Sequence, residues 1–319
     1  MKVSFNNPNN AVWTGYGHAT AKIVNALAKT DHSVGYSLPN SDLEIFFGHA
    51  DDYQYISPQA YKVGYTAWES TQFPKSWTAS GNLDIVDEFW VPNRFCQDVF
   101  KEYTDKEVYI FRHGLDKIFE PQKRELTDTI KFIHIGYPAY RKNLYDTVNA
   151  FLELYSGRKD VTLTIKGYEH VQLPEFDNEP NINVIGETYT SFEMIRLLRE
   201  HHALVYPSWG EGFGLIPLQT LGTGMPSIIS GGWCDYEEYI GDLMVKSTLT
   251  HNPFTITHPG FMYKTDYEDL LRVMEYTEKN IEALLPKYYD QAPKIHKEYN
   301  WDDIVTEHFN NVANRLMLQ

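Results

Sequence analysis

Two clusters of residues have the types and spacing to handle an anionic ligand. The first is Tyr206-Pro207-Ser208-Trp209-Gly210-Glu211-Gly212-Phe213-Gly214-Leu215-Ile216-Pro217-Leu218-Gln219. It follows the apolar run Ala203-Leu204-Val205-Tyr206, which reads as a short buried strand, and leads into 215–221, which reads as the start of a helix. A strand ending in a glycine turn that feeds a helix lets a ligand come close to the backbone. The helix start offers unpaired N–H groups and a partial positive charge, which suit a phosphate. Glu211 sits at the mouth of this turn. Its carboxylate would repel phosphate unless it faces another part of the ligand, such as sugar hydroxyls. The same residues would equally make a structural turn with an exposed Glu. The second cluster is Arg141-Lys142-Asn143, read as opening a helix that runs to about residue 153. Two adjacent cations at a helix start oppose its dipole. A diphosphate between them would resolve the conflict, because Arg and Lys bind phosphate oxygens directly.

Three further groups are candidates. Gly15-Tyr16-Gly17-His18 opens a helix running to about residue 27. A dinucleotide fingerprint would place its glycines directly after the strand, with a third three positions on. Here residues 6–14 intervene and the third position is Thr20, which speaks against nicotinamide or flavin binding. Glu69, in Trp68-Glu69-Ser70-Thr71-Gln72-Phe73-Pro74-Lys75-Ser76-Trp77, stands just past a strand's C-terminal end, where open α/β sheets place ligand sites. It could instead cap the next helix, with Trp68 and Trp77 as packing residues. His201-His202 lacks a third ligand at metal spacing. No Gly-x-Ser-x-Gly or His-Glu-x-x-His occurs, so a hydrolase reading has no support, and no Asp-x-Asp metal motif occurs either.

The elements that would position these groups form an α/β chain. Strands are expected at 2–5, 33–36, 43–47, 62–67, 108–111, 131–136, 161–166 and 182–185, with a strand and turn over 85–93 and a turn and buried strand over 221–230, alternating with helices or loops, as in parallel sheets. Helices are expected at 94–103, 192–201 (with Ser191 as N-cap and Met194 where a capping-box acid would stand), 266–289 and 301–318. The polar run Phe119-Glu120-Pro121-Gln122-Lys123-Arg124 reads as a linker. At 319 residues, 42% of them hydrophobic, the chain suits two domains with real cores. We expect a first domain over 1–121, a second over 122–298, and a final segment over 299–319. Two cysteines, Cys96 and Cys234, are too few for a metal motif or disulfide framework. No apolar run is long enough to span a bilayer, and the N-terminus lacks a signal-peptide core, so a cytoplasmic protein without stable membrane insertion is expected. The net charge of −15 disfavours broad, salt-driven binding to DNA or an anionic membrane.

Pro207-Ser208-x-x-Glu211-Gly212-Phe213-Gly214-Leu215 resembles the donor-site motif of glycosyltransferase family 4, retaining enzymes of the GT-B fold. The resemblance extends to Gly15-Tyr16-Gly17, to Trp68-Glu69-Ser70, to Arg112-His113-Gly114-Leu115-Asp116 and to Lys142. It implies two Rossmann-like domains facing across a cleft, with a last helix crossing back to the first domain. It implies metal-independent transfer of a sugar from a nucleotide donor to a hydroxyl, with configuration retained. Glu211 and Glu69 are then the candidate catalytic residues, Glu211 on donor-sugar hydroxyls and Glu69 on the acceptor hydroxyl. Donor binding falls to Gly15, Tyr16, Gly17, Arg141, Lys142, Glu187, Gly212, Phe213, Gly214, Leu215 and Gln219. Acceptor binding falls to His18, Trp68 and His113, although His18 reads equally as a phosphate contact or a plain surface residue. The family places a second Glu eight positions after the first. Here Gln219 stands there, able to donate and accept towards a ribose but uncharged.

No cofactor is implied beyond the nucleotide sugar as co-substrate, a UDP-sugar favoured over a GDP-sugar. A glycan or lipid-linked acceptor is the usual family answer. The compact length resembles some phage-encoded enzymes, which keeps a hydroxymethylated DNA base or a phage protein open as acceptor. Gln219 also keeps open a nucleotide-sugar binder without turnover, and the shared fold a nucleotide-sugar epimerase.

Overall fold

The alternating strand and helix pattern folds into two parallel sheets. The computed structural model describes residues 1–8, 11, 14–56, 60–168, 172–176, 178–253 and 255–317. Of the polar loop expected at 6–14, residues 9, 10, 12 and 13 lie outside the described residues, as does residue 318 of the last expected helix. The first sheet contains β1 (Lys2–Asn6), β2 (Ser33–Gly35), β3 (Leu43–Phe47), β4 (Tyr61–Tyr65), β5 (Glu88–Val91) and β6 (Val108–Ile110). All pair in parallel, in the order β2-β1-β3-β4-β5-β6. Both faces are covered, and alternate side chains divide between them. On β3, Leu43, Ile45 and Phe47 join one apolar cluster, while Phe46 joins the other. α1 (Gly15–Leu27) covers the first face; α2 (Lys75–Ala79) and α3 (Arg94–Lys101) cover the second.

The second sheet contains β7 (Ile130–Ile135), β8 (Val161–Lys166), β9 (Ile182–Ile185), β10 (Ala203–Tyr206), β11 (Ser227–Ser230) and β12 (Met244–Val245). Its order is β12-β11-β10-β7-β8-β9, again all parallel. This is the Rossmann order, and it reverses direction between β7 and β10. The crevice at that reversal opens at the carboxyl ends of the two strands, where Gly136 and Tyr206 lie. In the first sheet the corresponding switch lies between β1 and β3, ahead of Gly15 and Gly48.

Around the second sheet lie α4 (Leu144–Tyr155), α5 (Ser191–Arg199), α6 (Leu215–Gly222) and α7 (Tyr267–Glu298). Three of these differ from the sequence reading. Arg141 and Lys142 do not open α4: they lie in a single 3-10 turn, Tyr140–Lys142, and Asn143 then takes a left-handed φ of 57° before the helix begins. The N-cap of α5 is Thr190, not Ser191, and a full capping box closes with Glu193 in place of Met194. The helix expected to end near residue 289 runs to Glu298 through Pro286 and Pro293. Each proline removes one backbone donor, but burial of Leu284, Leu285, Tyr288, Ala292 and Ile295 carries the helix past them.

Two elements tie the domains together. An antiparallel hairpin, β13 (Ser247–His251) and β14 (Phe261–Thr265), was not expected from the sequence. It leaves the second domain and reaches the first, where the Thr71 N–H donates to the Phe261 carbonyl at 3.0 Å and the Phe261 N–H to Thr71 Oγ1 at 2.9 Å. On the other side, α8 (Trp301–Met317) packs on α1 and enters the first domain's core through Trp301, Val305, Phe309 and Val312. At about 1.5–3 kcal/mol for each large apolar side chain fully buried, α8 is part of that core rather than an appendage. The expected linker is also held: the Arg124 guanidinium donates to the carbonyls of His201, Thr223 and Gln122. No helix among the described residues is long and apolar enough to cross a membrane.

Candidate active site

A cavity of about 410 Å³ lies between the domains, over the switch points of both sheets. From the first domain it takes Gly15, Tyr16 and His18 after β1, Phe47 at the end of β3, Glu69 after β4 and His113 after β6. From the second it takes Gly136, Arg141 and Lys142 after β7, and Tyr206, Glu211, Gly212, Phe213, Gly214, Leu215 and Gln219 at and after β10. Most of the sequence candidates therefore share one space. Three do not line it. Gly17 is buried in α1, its N–H donating to the N-cap Thr14. Glu187 is exposed. Trp68 is buried against Trp77 and Phe73, and stacks on His258 at 5.2 Å; it is a packing residue, not an acceptor contact.

The glycine turn is built for close approach. Gly214, the N-cap of α6, has φ 85°, and a Cβ there would collide with Tyr236 and Trp233. At Gly212 a Cβ would meet Ala67 of the facing domain at 2.5 Å. Of the first-turn groups of α6, Pro217 has no N–H, which leaves those of Leu215 and Ile216 at the cavity wall.

Glu211 is the most heavily bonded group of the site. Its Oε1 accepts from Lys142 Nζ at 2.6 Å, Ser208 Oγ at 2.6 Å, Tyr206 Oη at 3.0 Å and Arg141 Nη1 at 3.0 Å. Among the described residues Oε2 has no partner, so one oxygen anchors the carboxylate and the other remains for a ligand. Burial alone would push this carboxyl up; Arg141 and Lys142 reverse that and hold it at about 2, fully ionised at neutral pH. Lys142 is pushed down by burial, against the pull of Glu211, and Arg141 is held charged by Glu211 and Glu69. Arg141 and Lys142 thus lie ahead of α4 rather than in it, and their charge is balanced by the protein's own carboxylates. Arg141 also reaches across the cleft, Nη2 to Glu69 Oε1 at 3.2 Å, while His258 of the hairpin meets Glu69 Oε2 at 3.2 Å. Burial favours the neutral Glu69, but Arg141 and His258 hold it below the usual carboxylate range. Glu69 does not cap α2; it joins the domains.

The first-domain wall is different in kind. Tyr16 Oη donates to the Ala67 carbonyl at 3.0 Å, and its ring packs on Phe47. His113 is buried among Phe47, Tyr65, Phe213 and Trp301, and among the described residues neither ring nitrogen has a partner. Burial, reinforced by His18, pushes its imidazole down to about 3, so it is neutral. His18 bonds Asp116.

At the far end of the cavity, Tyr168, Tyr189 and Met194 contribute walls that the sequence reading did not assign, apart from a stacking role considered for Tyr189. Behind them the buried Lys166 ammonium donates to the Glu187 carbonyl at 2.6 Å and to the Gly167 carbonyl, under the rings of Tyr168 and Tyr189 at 4.6 and 4.5 Å. Burial pushes it down to about 8. Lys166 reads in sequence as the end of a strand, and His258 belongs to an unforeseen hairpin, so neither carried a signal.

Residues 93–232 match a family model described as Family 4 Glycosyltransferase in conflict systems. Over 131 residues the chain is 28% identical to a glycogen synthase of Mycobacterium tuberculosis, a stretch covering 39% of this chain and 32% of that protein. It spans about a third of the length of the curated relatives it matches. Among solved structures, sucrose-phosphate synthase from Thermosynechococcus elongatus has a TM-score of 0.72 at 10% identity, covering 100% of both chains. The pneumococcal O-GlcNAc transferase GtfA, solved in complex with UDP and GlcNAc, has a TM-score of 0.62 at 18% identity, covering 86% of this chain and 57% of that one. At these identities the likeness is one of fold, and the fold is GT-B.

Proposed function

We infer that this chain, a family 4 glycosyltransferase by its sequence and a GT-B protein by its fold, transfers a sugar from a nucleoside-diphosphate donor to an acceptor hydroxyl. The observation that carries this reading is Glu211, anchored through one oxygen by Arg141, Lys142, Tyr206 and Ser208, with its other oxygen left for a ligand. A free Oε2 on a fixed, ionised carboxylate suits sugar hydroxyls. The departing diphosphate needs donors aimed at its growing charge. Lys142, Arg141 and the N–H groups of Leu215 and Ile216 line the same cavity. In binding, the diphosphate would share these cations with Glu211 and Glu69. Gln219, buried in α6, lines the cavity, and in this reading it meets ribose hydroxyls without the charge of the usual Glu. Tyr168 and Tyr189 offer ring faces for a base. The resemblance supports retention of configuration and a glycan or lipid-linked acceptor, and a structural neighbour solved with UDP and GlcNAc supports a UDP-sugar as donor.

A thermal-shift panel of UDP-, GDP- and ADP-sugars, with and without chelator, tests the reading. A donor at 100 times its dissociation constant should add about 2.7 kcal/mol. The expected result is a selective shift that survives chelation and is lost in Lys142→Ala. No shift with any nucleotide sugar would overturn the donor site.

A further inference from the structure

We propose that Glu69 is an exchange residue of the diphosphate site: it holds Arg141 until a donor takes over that bond, and His258 then keeps the carboxylate. This rests on the transfer reading above. Of the two carboxylates that bond the site's cations, Glu69 is the one built to yield. It comes from the first domain and Arg141 from the second, and both line the cavity. Each Glu69 oxygen has its own partner: Oε1 meets Arg141 Nη2 at 3.2 Å, and Oε2 meets His258 Nε2 at 3.2 Å. Arg141 is double-ended in the same way, because its Nη1 donates to the Gly210 carbonyl at 2.8 Å and lies 3.0 Å from Glu211 Oε1. The contact between Glu69 and Arg141 can therefore open without leaving either group unpartnered, the outcome that makes breaking a buried ion pair so unfavourable.

His258 is held ready for this exchange. Its ring stacks on Trp68 at 5.2 Å. Its Nδ1 lies 3.3 Å from the Thr257 hydroxyl, which can donate to it and leave Nε2–H for the carboxylate. The turn that carries it is fixed by the buried Asn252, whose side chain donates to the His258 carbonyl at 2.6 Å and whose N–H donates to the Gly260 carbonyl at 2.8 Å. Glu211 differs. It lies on the same domain as Arg141 and Lys142, and its Oε1 takes four donors at once. A diphosphate offers Arg141 charged oxygens that a guanidinium can bond two at a time, and it has to replace one 3.2 Å contact. A ligand without phosphate offers nothing in exchange and leaves the pair closed. While the pair is closed, Glu69 Oε1 is unavailable to an acceptor hydroxyl; donor binding frees it. The exchange moves hydrogen bonds and neither makes nor breaks a covalent one.

The test is calorimetric titration of UDP, GDP, ADP, inorganic pyrophosphate and the bare nucleosides into wild type, Glu69→Gln, His258→Phe and the double variant. Glu69→Gln no longer competes for Arg141, so it is expected to bind the preferred nucleoside diphosphate and pyrophosphate about 10-fold more tightly, with its nucleoside unchanged. His258→Phe keeps a ring on Trp68 but has no N–H to hold the displaced carboxylate. It should bind the same diphosphates about 5-fold more weakly, and that loss should vanish in the double variant. A purely structural role for these residues would weaken binding in both single variants. Glu69→Gln with wild-type affinity for diphosphates, or with nucleosides tightened equally, overturns the exchange and leaves the donor site standing. Should Glu69→Gln fail to fold, His258→Phe decides, since diphosphate binding that is not weakened there also overturns the exchange. A wild type that binds none of the nucleoside diphosphates and no pyrophosphate overturns the transfer reading, and the exchange with it.

Discussion

The two walls of the cavity spend their polar groups in opposite ways. On the second-domain wall, one carboxylate oxygen of Glu211 takes four donors, and Arg141 and Lys142 are both engaged. On the first-domain wall, among the described residues, His113 has no partner for either nitrogen, and His18 is tied through one nitrogen only. The wall we assign to the donor is therefore assembled before any ligand arrives, so little reorganisation remains at the moment of reaction. The wall we assign to the acceptor carries unmet hydrogen-bonding capacity, which costs stability until something fills it.

Breaking the pre-assembled wall should have the largest effect. Glu211→Gln removes the anion between two buried cations and the charge behind the free oxygen. Nucleotide-sugar turnover should fall about 10²–10³-fold, read as nucleoside-diphosphate release. A protein with near wild-type turnover would show that the carboxylate only holds the cations apart.

The next effect is one of acid stability. Glu211 sits at about 2 when folded, against 4.5 for a free glutamate side chain. Its contribution is therefore complete above pH 4.5 and is lost as pH falls from there towards 2, on the order of 3 kcal/mol in all. Denaturant midpoints at descending pH should show wild type and Glu211→Gln converging across that window. Parallel curves would mean that the cations do not hold the carboxyl down.

His113 should act in a different window, with a smaller effect over the first pH units below neutrality. Its folded value of about 3 lies below the 6.5 of a free imidazole. The unfolded chain then binds the extra proton, so the native state loses stability as pH falls below 6.5, by about 1.4 kcal/mol per pH unit. Between about pH 6.5 and pH 5, wild type should lose about 2 kcal/mol more than His113→Phe. Equal losses would mean that His113 finds a partner in solution, and the contrast between the walls would shrink.

Much of this arrangement was legible in the sequence, for identifiable reasons. Strands such as Leu43–Phe47 and Ala203–Tyr206 are short apolar runs flanked by turn residues, and α1 begins at Gly15 as its pattern implies. Glu211, Lys142 and the glycines sit in one local motif. What was not legible depends on partners distant in sequence. The pairing of Arg141 with Glu69 spans 72 positions, and that of His258 with Glu69 spans 189. β13 is largely exposed and polar, and β14 carries Phe261, Met262 and Tyr263 in a run rather than in alternation, so neither strand is marked by periodicity. Pro286 and Pro293 argue locally for a helix end that distant packing overrides. The turn ahead of α4 depends on the left-handed φ of Asn143, which no periodicity reveals.

The return of α8 to the first domain also orders events during synthesis. Roughly 190 residues separate Ile110, the last position of the first sheet, from Trp301. The first sheet therefore leaves the ribosome with one apolar face covered only by α1, and the rest of that face waits for Trp301, Val305, Phe309 and Val312. The second sheet and α7 emerge in the interval with all their packing partners already made. The half synthesised later is thus the first able to finish, and the earlier half needs shelter from aggregation until its closing helix arrives.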